Sequence, residues 1–160
     1  MNAMLRRIST AFVALGVTGI LLAAMTAPAN AATSTVKLRN QATGTKLLTK
    51  DAGVLTSMKT PSTTGANQIW LKKDVSSGYA TYSIGTSCLT GRGLQGFPVV
   101  TVEACVAGKL SQQWRKGVSG DLQLRLNGLV AEVNTSNPIF GVRMSFFTAQ
   151  PNEKWFVIPA

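Results

Sequence analysis

The chain has 160 residues, of which 45% are hydrophobic and 14% charged, and its 16 basic and 6 acidic side chains give a formal net charge of +10. It contains no histidine, which excludes a Ser-His or Cys-His nucleophile and any metal site with a histidine ligand. The basic excess favours contact with anionic partners.

The N-terminal stretch has the layout of a secretory signal peptide, predicted over residues 1–31. Arg6 and Arg7 precede an apolar run from Phe12 to Met25, and a small-residue site at 29–31 follows it. A membrane anchor is the alternative, but the run has only about 14 residues and a bilayer span needs about 20. We expect cleavage to leave residues 32–160 as one secreted, extracellular and monomeric domain of net charge +8. No later segment is apolar enough to span a membrane.

Twelve short strands are predicted after the leader, in three consecutive groups of four separated by turn-forming segments rich in Gly, Asn, Asp and Thr. The predicted strands are 36–39, 46–49, 54–58 and 69–72 in the first repeat (36–78), 80–84, 88–90, 99–104 and 113–116 in the second (79–121), and 122–126, 129–133, 142–147 and 154–158 in the third (122–160).

Cys88 and Cys105, both in the second repeat, are the only cysteines. After export they would meet an oxidising environment, so we expect them to form a disulfide. Their separation would contribute about 3 kcal/mol on the chain-entropy model, which supplements the core without replacing it. Catalytic or metal-binding thiols are the alternative, but they would lack a histidine partner.

Three tryptophans, Trp70, Trp114 and Trp155, recur 44 and 41 residues apart and end the similar phrases Asn-Gln-Ile-Trp, Ser-Gln-Gln-Trp and Asn-Glu-Lys-Trp. A fixed period of this length indicates one supersecondary unit used three times. Four strands cannot cover their own apolar side, so three copies are expected to close a barrel with a hairpin cap; a propeller of three blades is the competing layout. The residues predicted to fill its centre are Leu38, Leu47, Leu89, Val102, Leu124 and Val130.

The Gln-x-Trp endings, with Gln68 and Gln112 in the first two copies and Glu153 in the third, resemble those of the ricin-type β-trefoil lectin family. The cysteine pair and the repeat length fit as well, and the resemblance covers essentially all of the chain after the leader. It implies an all-β fold, a β-trefoil of three four-stranded repeats with pseudo-threefold symmetry. It also implies that Trp70, Trp114 and Trp155 are core residues and that the amide ties the adjoining loop to the backbone.

The resemblance implies one shallow sugar pocket in each repeat, built from three positions. An Asp on the second strand accepts hydrogen bonds from sugar hydroxyls, an aromatic residue after the third strand stacks on the sugar, and an Asn precedes the motif. The Asp position is predicted at Leu48, Thr90 and Glu132, the aromatic position at Thr56, Glu103 and Ser145, with Phe146 or Phe147 as alternatives, and the Asn position at Asn67, Ser111 and Asn152. The predicted carbohydrate-binding site is therefore a single one, made by Glu132, Phe146 and Asn152.

Charge supports an alternative function, in which a basic domain with degenerate sugar sites binds an anionic extracellular polymer. The net charge is +5 in the first repeat, +2 in the second and +1 in the third. The residues predicted to attract an acidic polysaccharide are Lys37, Arg39, Lys46, Lys50, Lys59, Lys72 and Lys73. No aromatic side chains are interleaved there for base stacking, which argues against specific nucleic-acid binding.

Catalysis is the third function class, and the sequence argues against it. The six acidic residues show no spacing that suggests a carboxylate pair, and no cofactor motif is present. An exposed loop could instead inhibit a protease through Arg92, but the flanking Gly91 and Gly93 would make that loop costly to order. The sequence therefore predicts a binding protein that needs no cofactor and has a glycan or an anionic polysaccharide as its partner.

Overall fold

A computed structural model of the chain describes residues 31–94, 98–136 and 141–160. Apart from its last residue, the predicted leader lies outside the described residues. The expected twelve strands in groups of four are confirmed, with short 3₁₀ turns between some of them. The strands are β1 (Thr33–Asn40), β2 (Leu47–Lys50), β3 (Thr56–Lys59), β4 (Trp70–Asp74), β5 (Ala80–Ile84), β6 (Ser87–Gly91), β7 (Val100–Ala104), β8 (Trp114–Lys116), β9 (Leu122–Leu124), β10 (Val130–Val133), β11 (Val142–Ser145) and β12 (Trp155–Pro159).

Six strands close a barrel, and the same pairing rule repeats in each copy. The first strand of a repeat lies antiparallel to the last strand of the same repeat and to the last strand of the preceding one. Strand β1 pairs with β4 and β12, β5 pairs with β8 and β4, and β9 pairs with β8. A bridge between Asp121 and Lys154 links β9 to β12, where the Trp155 N–H also donates to the Gly120 carbonyl at 2.7 Å. Among the described strands, the barrel therefore has no free sheet edge.

The other six strands form three hairpins that cap one end of the barrel: β2 with β3, β6 with β7, and β10 with β11. Bridges join the first hairpin to the second, at Leu55 and Thr101, and the second to the third, at Val99 and Arg143. Gly141 closes the ring, because a Cβ there would lie 2.1 Å from the Thr56 carbonyl oxygen and its φ is +49°. Only glycine allows this close approach.

The three tryptophans lie in the core of the barrel, and all are essentially inaccessible to solvent. Each begins the last strand of its repeat, directly after a 3₁₀ turn and one connecting residue. The six residues predicted to fill the centre are all buried, and Leu38, Leu89, Val102 and Leu124 belong to the same cluster as the tryptophans. Leu47 and Val130 are buried outside that cluster, because they occupy the opposite side of their strands from the core-facing Leu48 and Ala131.

The predicted disulfide between Cys88 and Cys105 is confirmed. It joins the beginning of β6 to the residue after β7, with Cα atoms 4.9 Å apart. A backbone hydrogen bond from the Cys105 N–H to the Thr86 carbonyl, at 3.0 Å, lies beside it. The bridge therefore fixes the open end of the second hairpin, and among the described residues no cysteine is left free.

Candidate functional site

The buried indoles define which residues of the three repeats are equivalent. Each tryptophan donates its indole N–H to a carbonyl of the second strand of its own repeat, at 2.8 to 3.1 Å. The acceptors are Leu48, Leu89 and Ala131. The residues that follow them, which would hold the family's Asp, are therefore Thr49, Thr90 and Glu132. The prediction of Leu48 for this position is wrong by one residue, because Leu48 faces the core, where only an apolar side chain fits.

Strand pairing corrects the first repeat at the aromatic position as well. Lys59 pairs with Leu47, Glu103 with Cys88 and Ser145 with Val130. Thr56, which was predicted to match Glu103 and Ser145, lies three residues earlier, at the other end of its strand. Its hydroxyl is buried and donates to the Val100 carbonyl at 2.8 Å.

None of the three aligned positions therefore holds an aromatic ring. Phe146 follows the last residue of β11 and is 68% exposed, and Phe147 is also exposed. Phe146 is thus one residue beyond Ser145, which holds the aligned aromatic position, and its exposed ring lies at the rim of the third hairpin.

The glutamine of the motif acts as a clamp in the first two repeats. Gln112 accepts a hydrogen bond from the Val106 N–H at 2.9 Å, and its amide donates to the Thr90 hydroxyl at 3.2 Å and to the Ala104 carbonyl at 2.9 Å. Gln68 makes the same three bonds in the first repeat. The clamp ties the loop before the 3₁₀ turn to the second strand, and it occupies the side chain at the Asp position.

Glu153 cannot make this clamp, because a carboxylate has no N–H to donate. It is buried, and it accepts hydrogen bonds from the Thr148 N–H, the Thr148 hydroxyl and the Gln150 N–H at 2.8 to 3.3 Å. Glu153 therefore still holds the loop before the 3₁₀ turn, but it makes no hydrogen bond to the second strand like those of Gln68 and Gln112. Glu132, at the Asp position, is consequently available to other partners.

Glu132 is the centre of a polar cluster on the third hairpin. Its Oε1 accepts from Asn152 Nδ2 at 2.8 Å and from Arg143 Nη2 at 2.8 Å, and its Oε2 accepts from Arg143 Nε at 3.2 Å. Asn152 also donates to the Val133 carbonyl at 3.3 Å. Burial raises the pKa of Glu132, but hydrogen bonds from Arg143, Ser145 and Asn152 outweigh it, so that the pKa lies below its ordinary value.

The structure brings Glu132 and Asn152 together, with Phe146 at the edge of the same hairpin. Sequence reasoning missed Arg143, which faces Glu132 across the β10–β11 pairing. Its pKa is raised, mainly by the hydrogen bond to Glu132. Counting outward from the loop between β10 and β11 would have found the pair, because the two residues are equally far from the innermost pair, Val133 and Val142.

The other two hairpins carry acid–base pairs of their own. Glu103 binds Arg92 and Lys109, each at 2.9 Å, and hydrogen bonding from Lys109 is the main reason that the pKa of Glu103 is lowered. In the first hairpin Lys59 pairs with Asp51. Arg92, considered above as an inhibitory residue, is therefore bound to a neighbouring strand of its own domain.

The seven basic residues of the first repeat, which were predicted to attract an anionic polymer, do not all point to the same side of the sheet. Adjacent residues of a strand point to opposite sides, so Lys72 lines the open mouth of the barrel while Lys73 lies on its outer wall. Lys46 lines a cleft between the first and third repeats. Within the described residues, Lys37, Lys46 and Lys73 make no ion pair and remain candidates for binding an anion.

The described residues also bear on metal and membrane binding. No group of three or more Cys, Asp or Glu side chains in them is placed to hold a metal ion. None of their helical segments has the length and apolarity needed to cross a membrane.

Sequence comparison finds a lectin among the curated proteins that resemble the chain. No protein-family model matches the chain. The β-galactoside-specific lectin 2 of Viscum album is 28% identical to it over 109 residues. The match covers 60% of this chain and 19% of the lectin, so the chain spans about a fifth of the length of that relative.

Solved structures share the fold at low sequence identity. ThreeFoil, a designed 3-fold symmetric protein, has a TM-score of 0.65 and 21% identity over 79% of this chain and 99% of its own. The agglutinin of Abrus precatorius has a TM-score of 0.64 and 16% identity over 78% of this chain and 46% of its own. These likenesses show that the chain has the β-trefoil fold, and the Gln-x-Trp repeats and the Viscum album lectin support its resemblance to the ricin-type lectins.

Proposed function

We propose that the protein is an exported, monomeric carbohydrate-binding protein with one sugar site, in the third repeat. Glu132 and Asn152 form its polar side and Phe146 its apolar side. The observation that carries the proposal is the 2.8 Å hydrogen bond between Glu132 and Asn152. It joins the two positions at which the family's sugar-binding polar residues are expected, and neither of the other repeats has a carboxylate at the Asp position.

The first and second pockets lack the groups for this chemistry. Their Asp positions hold Thr49 and Thr90, whose hydroxyls are buried and bonded to the motif glutamines. A sugar hydroxyl would have to break the clamp that supports the neighbouring loop. Recognition by a single pocket predicts weak affinity, because none of the avidity of a multivalent lectin is available.

Binding to a glycan array tests the proposal directly. Glu132→Ala should abolish binding, and Phe146→Ala should weaken it by about twofold to tenfold, the contribution expected of one stacked ring. Asp74→Asn is the matched control, because it neutralises a half-exposed carboxylate outside the site. Binding that survives Glu132→Ala would refute the third-repeat site, and an array without any binding would refute the function.

The second candidate function is binding of an anionic extracellular polymer by the basic first repeat. It is favoured by Lys37, Lys46 and Lys73, none of which makes an ion pair with another residue that the structure describes. Contacts of exposed lysines are screened by salt, so raising the ionic strength from about 0.15 M to 0.5 M should release such a polymer. Neutral glycans bound at the third repeat should stay bound.

A further inference from the structure

We propose that the third-repeat pocket is selective for an acidic saccharide, whose carboxylate binds to the outer edge of Arg143. The inference rests on the proposed function and names its ligand class. It differs from the second candidate function, because one residue with a fixed geometry, and not a diffuse basic surface, makes the contact. The ligand is a pyranose that carries a carboxylate, as uronic and sialic acids do.

Glu132 has little capacity left for sugar hydroxyls. A carboxylate offers about four acceptor sites. Arg143 takes two of them and Asn152 a third, which leaves about one acceptor site. The acidic residue at this position is expected to accept hydrogen bonds from more than one sugar hydroxyl, so a neutral sugar would have to displace one of these partners, at the cost of a charge-assisted hydrogen bond.

Arg143, in contrast to Glu132, still has hydrogen-bonding groups that are not used. A guanidinium carries five N–H donors, and Glu132 uses only the edge formed by Nε and Nη2. Nη1 makes no hydrogen bond to any described residue, and the second N–H of Nη2, which points to the same edge as Nη1, is left over from the bond to Glu132. The Arg143 side chain is 44% exposed whereas that of Glu132 is 9% exposed, so the acid faces inward and the base outward. The open edge matches a second carboxylate, which it can bind through two parallel hydrogen bonds.

The pair with Glu132 prepares Arg143 for this role. Two hydrogen bonds from one guanidinium edge fix its plane and rotamer before a ligand arrives, so that less side-chain entropy is lost on binding. Asn152 holds Glu132 in turn. These donors balance the negative charge of Glu132. Glu132 therefore repels a carboxylate that binds to Arg143 less strongly than an unpaired carboxylate would.

The same arrangement of charge recurs on the other two hairpins. The Glu103 side chain is 24% exposed, while its partners Arg92 and Lys109 are 59% and 37% exposed. Asp51 and Lys59 have exposures of 22% and 56%. All three hairpins thus turn their acids inward and present bases to solvent, which favours an anionic ligand on this side of the molecule.

The test compares matched glycans on the full-length protein. The probes are oligogalacturonate, its methyl ester and a neutral galactose oligosaccharide of the same length, together with an array of paired acidic and neutral glycans that includes sialylated ones. We expect acidic glycans to bind about tenfold to a hundredfold more tightly than their esters, because an ester still accepts hydrogen bonds through its carbonyl and loses only the charge-assisted part of the interaction. The preference should persist at about 0.5 M salt.

Variants then assign the preference to the guanidinium. Arg143→Lys keeps the charge but loses the two-pronged edge, so it should reduce the preference by about tenfold or more. Lys116→Gln, which removes one exposed charge elsewhere, should leave it unchanged. If Arg143→Lys is poorly folded by circular dichroism, the double variant Glu132→Gln, Arg143→Gln provides a neutral pair that can still hydrogen-bond, and it should bind acidic and neutral glycans equally.

The outcomes separate this inference from the function on which it rests. Equal binding of acidic and neutral glycans would overturn the inference and leave the carbohydrate-binding function intact. A preference that survives Arg143→Lys, or that disappears at high salt, would also overturn it and would favour the basic first repeat. If no glycan binds, the proposed function itself fails, and the inference fails with it.

Discussion

Replacement of Gly91 by alanine is expected to destabilise the protein by overpacking its core. Gly91 is the last residue of β6, and it is buried. A Cβ on it would lie 2.7 Å from a methyl carbon of Leu124 and 2.9 Å from both the Met144 sulfur and a ring carbon of Trp114. All three neighbours are essentially inaccessible to solvent. The added methyl group cannot be accommodated unless at least one of them moves.

The cost follows from how little these neighbours can move. Overpacking of a well-filled core costs about 1–3 kcal/mol, and with three contacts from three different strands we expect a value in the upper half of that range, about 2–3 kcal/mol. For a domain of this size, that corresponds to a fall in the melting temperature of roughly 5–12 °C. Urea denaturation followed by tryptophan fluorescence measures it, because all three tryptophans lie in this core.

Gly93→Ala is the matched control, since Gly93 is exposed and a Cβ there meets no atom within 4 Å. It should change the free energy of unfolding by about 0.5 kcal/mol or less. If Gly91→Ala proves as harmless as Gly93→Ala, the packing of Leu124, Met144 and Trp114 around β6 is looser than described, and the reasoning fails.

Three further predictions concern the disulfide, the motif tryptophan and the site carboxylate. Replacing both Cys88 and Cys105 by alanine should lower the free energy of unfolding by about 3 kcal/mol, measured by urea titration, and an unchanged midpoint would contradict the role given to the bridge. Trp155→Phe should cost about 1–3 kcal/mol, because the Ala131 carbonyl, now bonded at 2.8 Å, would lose its buried partner; a calorimetric loss below about 0.5 kcal/mol would count against this. The lowered pKa of Glu132 stabilises the fold fully above about pH 4.5, and this contribution is lost as the pH falls through the folded-state pKa. Stability measured between about pH 2 and 6 should therefore fall less steeply in Glu132→Gln than in the parent, and parallel curves would show that the pair does not act in this way.

Much of the scaffold could be predicted from the sequence because it recurs there. The spacing of Trp70, Trp114 and Trp155 indicates three copies of one unit, and alternating apolar residues indicate the strands. Strand register within a repeat was harder to predict. In the first repeat, Leu48 was predicted at the position that Thr49 occupies. A run of two leucines does not reveal which one faces the core until the partner strand is known.

The candidate site was predictable only in part, for a related reason. Glu132 and Asn152 could be located because they stand at fixed offsets from the repeated motif. Arg143 was missed, because no motif marks it and its relation to Glu132 follows only from the register in which β10 and β11 pair. The consequence is large, since Arg143 changes the exposed chemistry of the site from an acceptor to a donor.

The sequence by itself determined the class of fold, the three repeats and the disulfide, because each depends on residue types at regular or unambiguous spacings. Tertiary structure alone decided which charges face outward. Lys72 and Lys73 are neighbours in sequence but lie on opposite sides of β4, whereas Glu132 and Arg143 are eleven residues apart and bonded. Composition gives only the number of charged side chains. The ligand that can bind depends on the direction in which these side chains point, and strand pairing sets that direction.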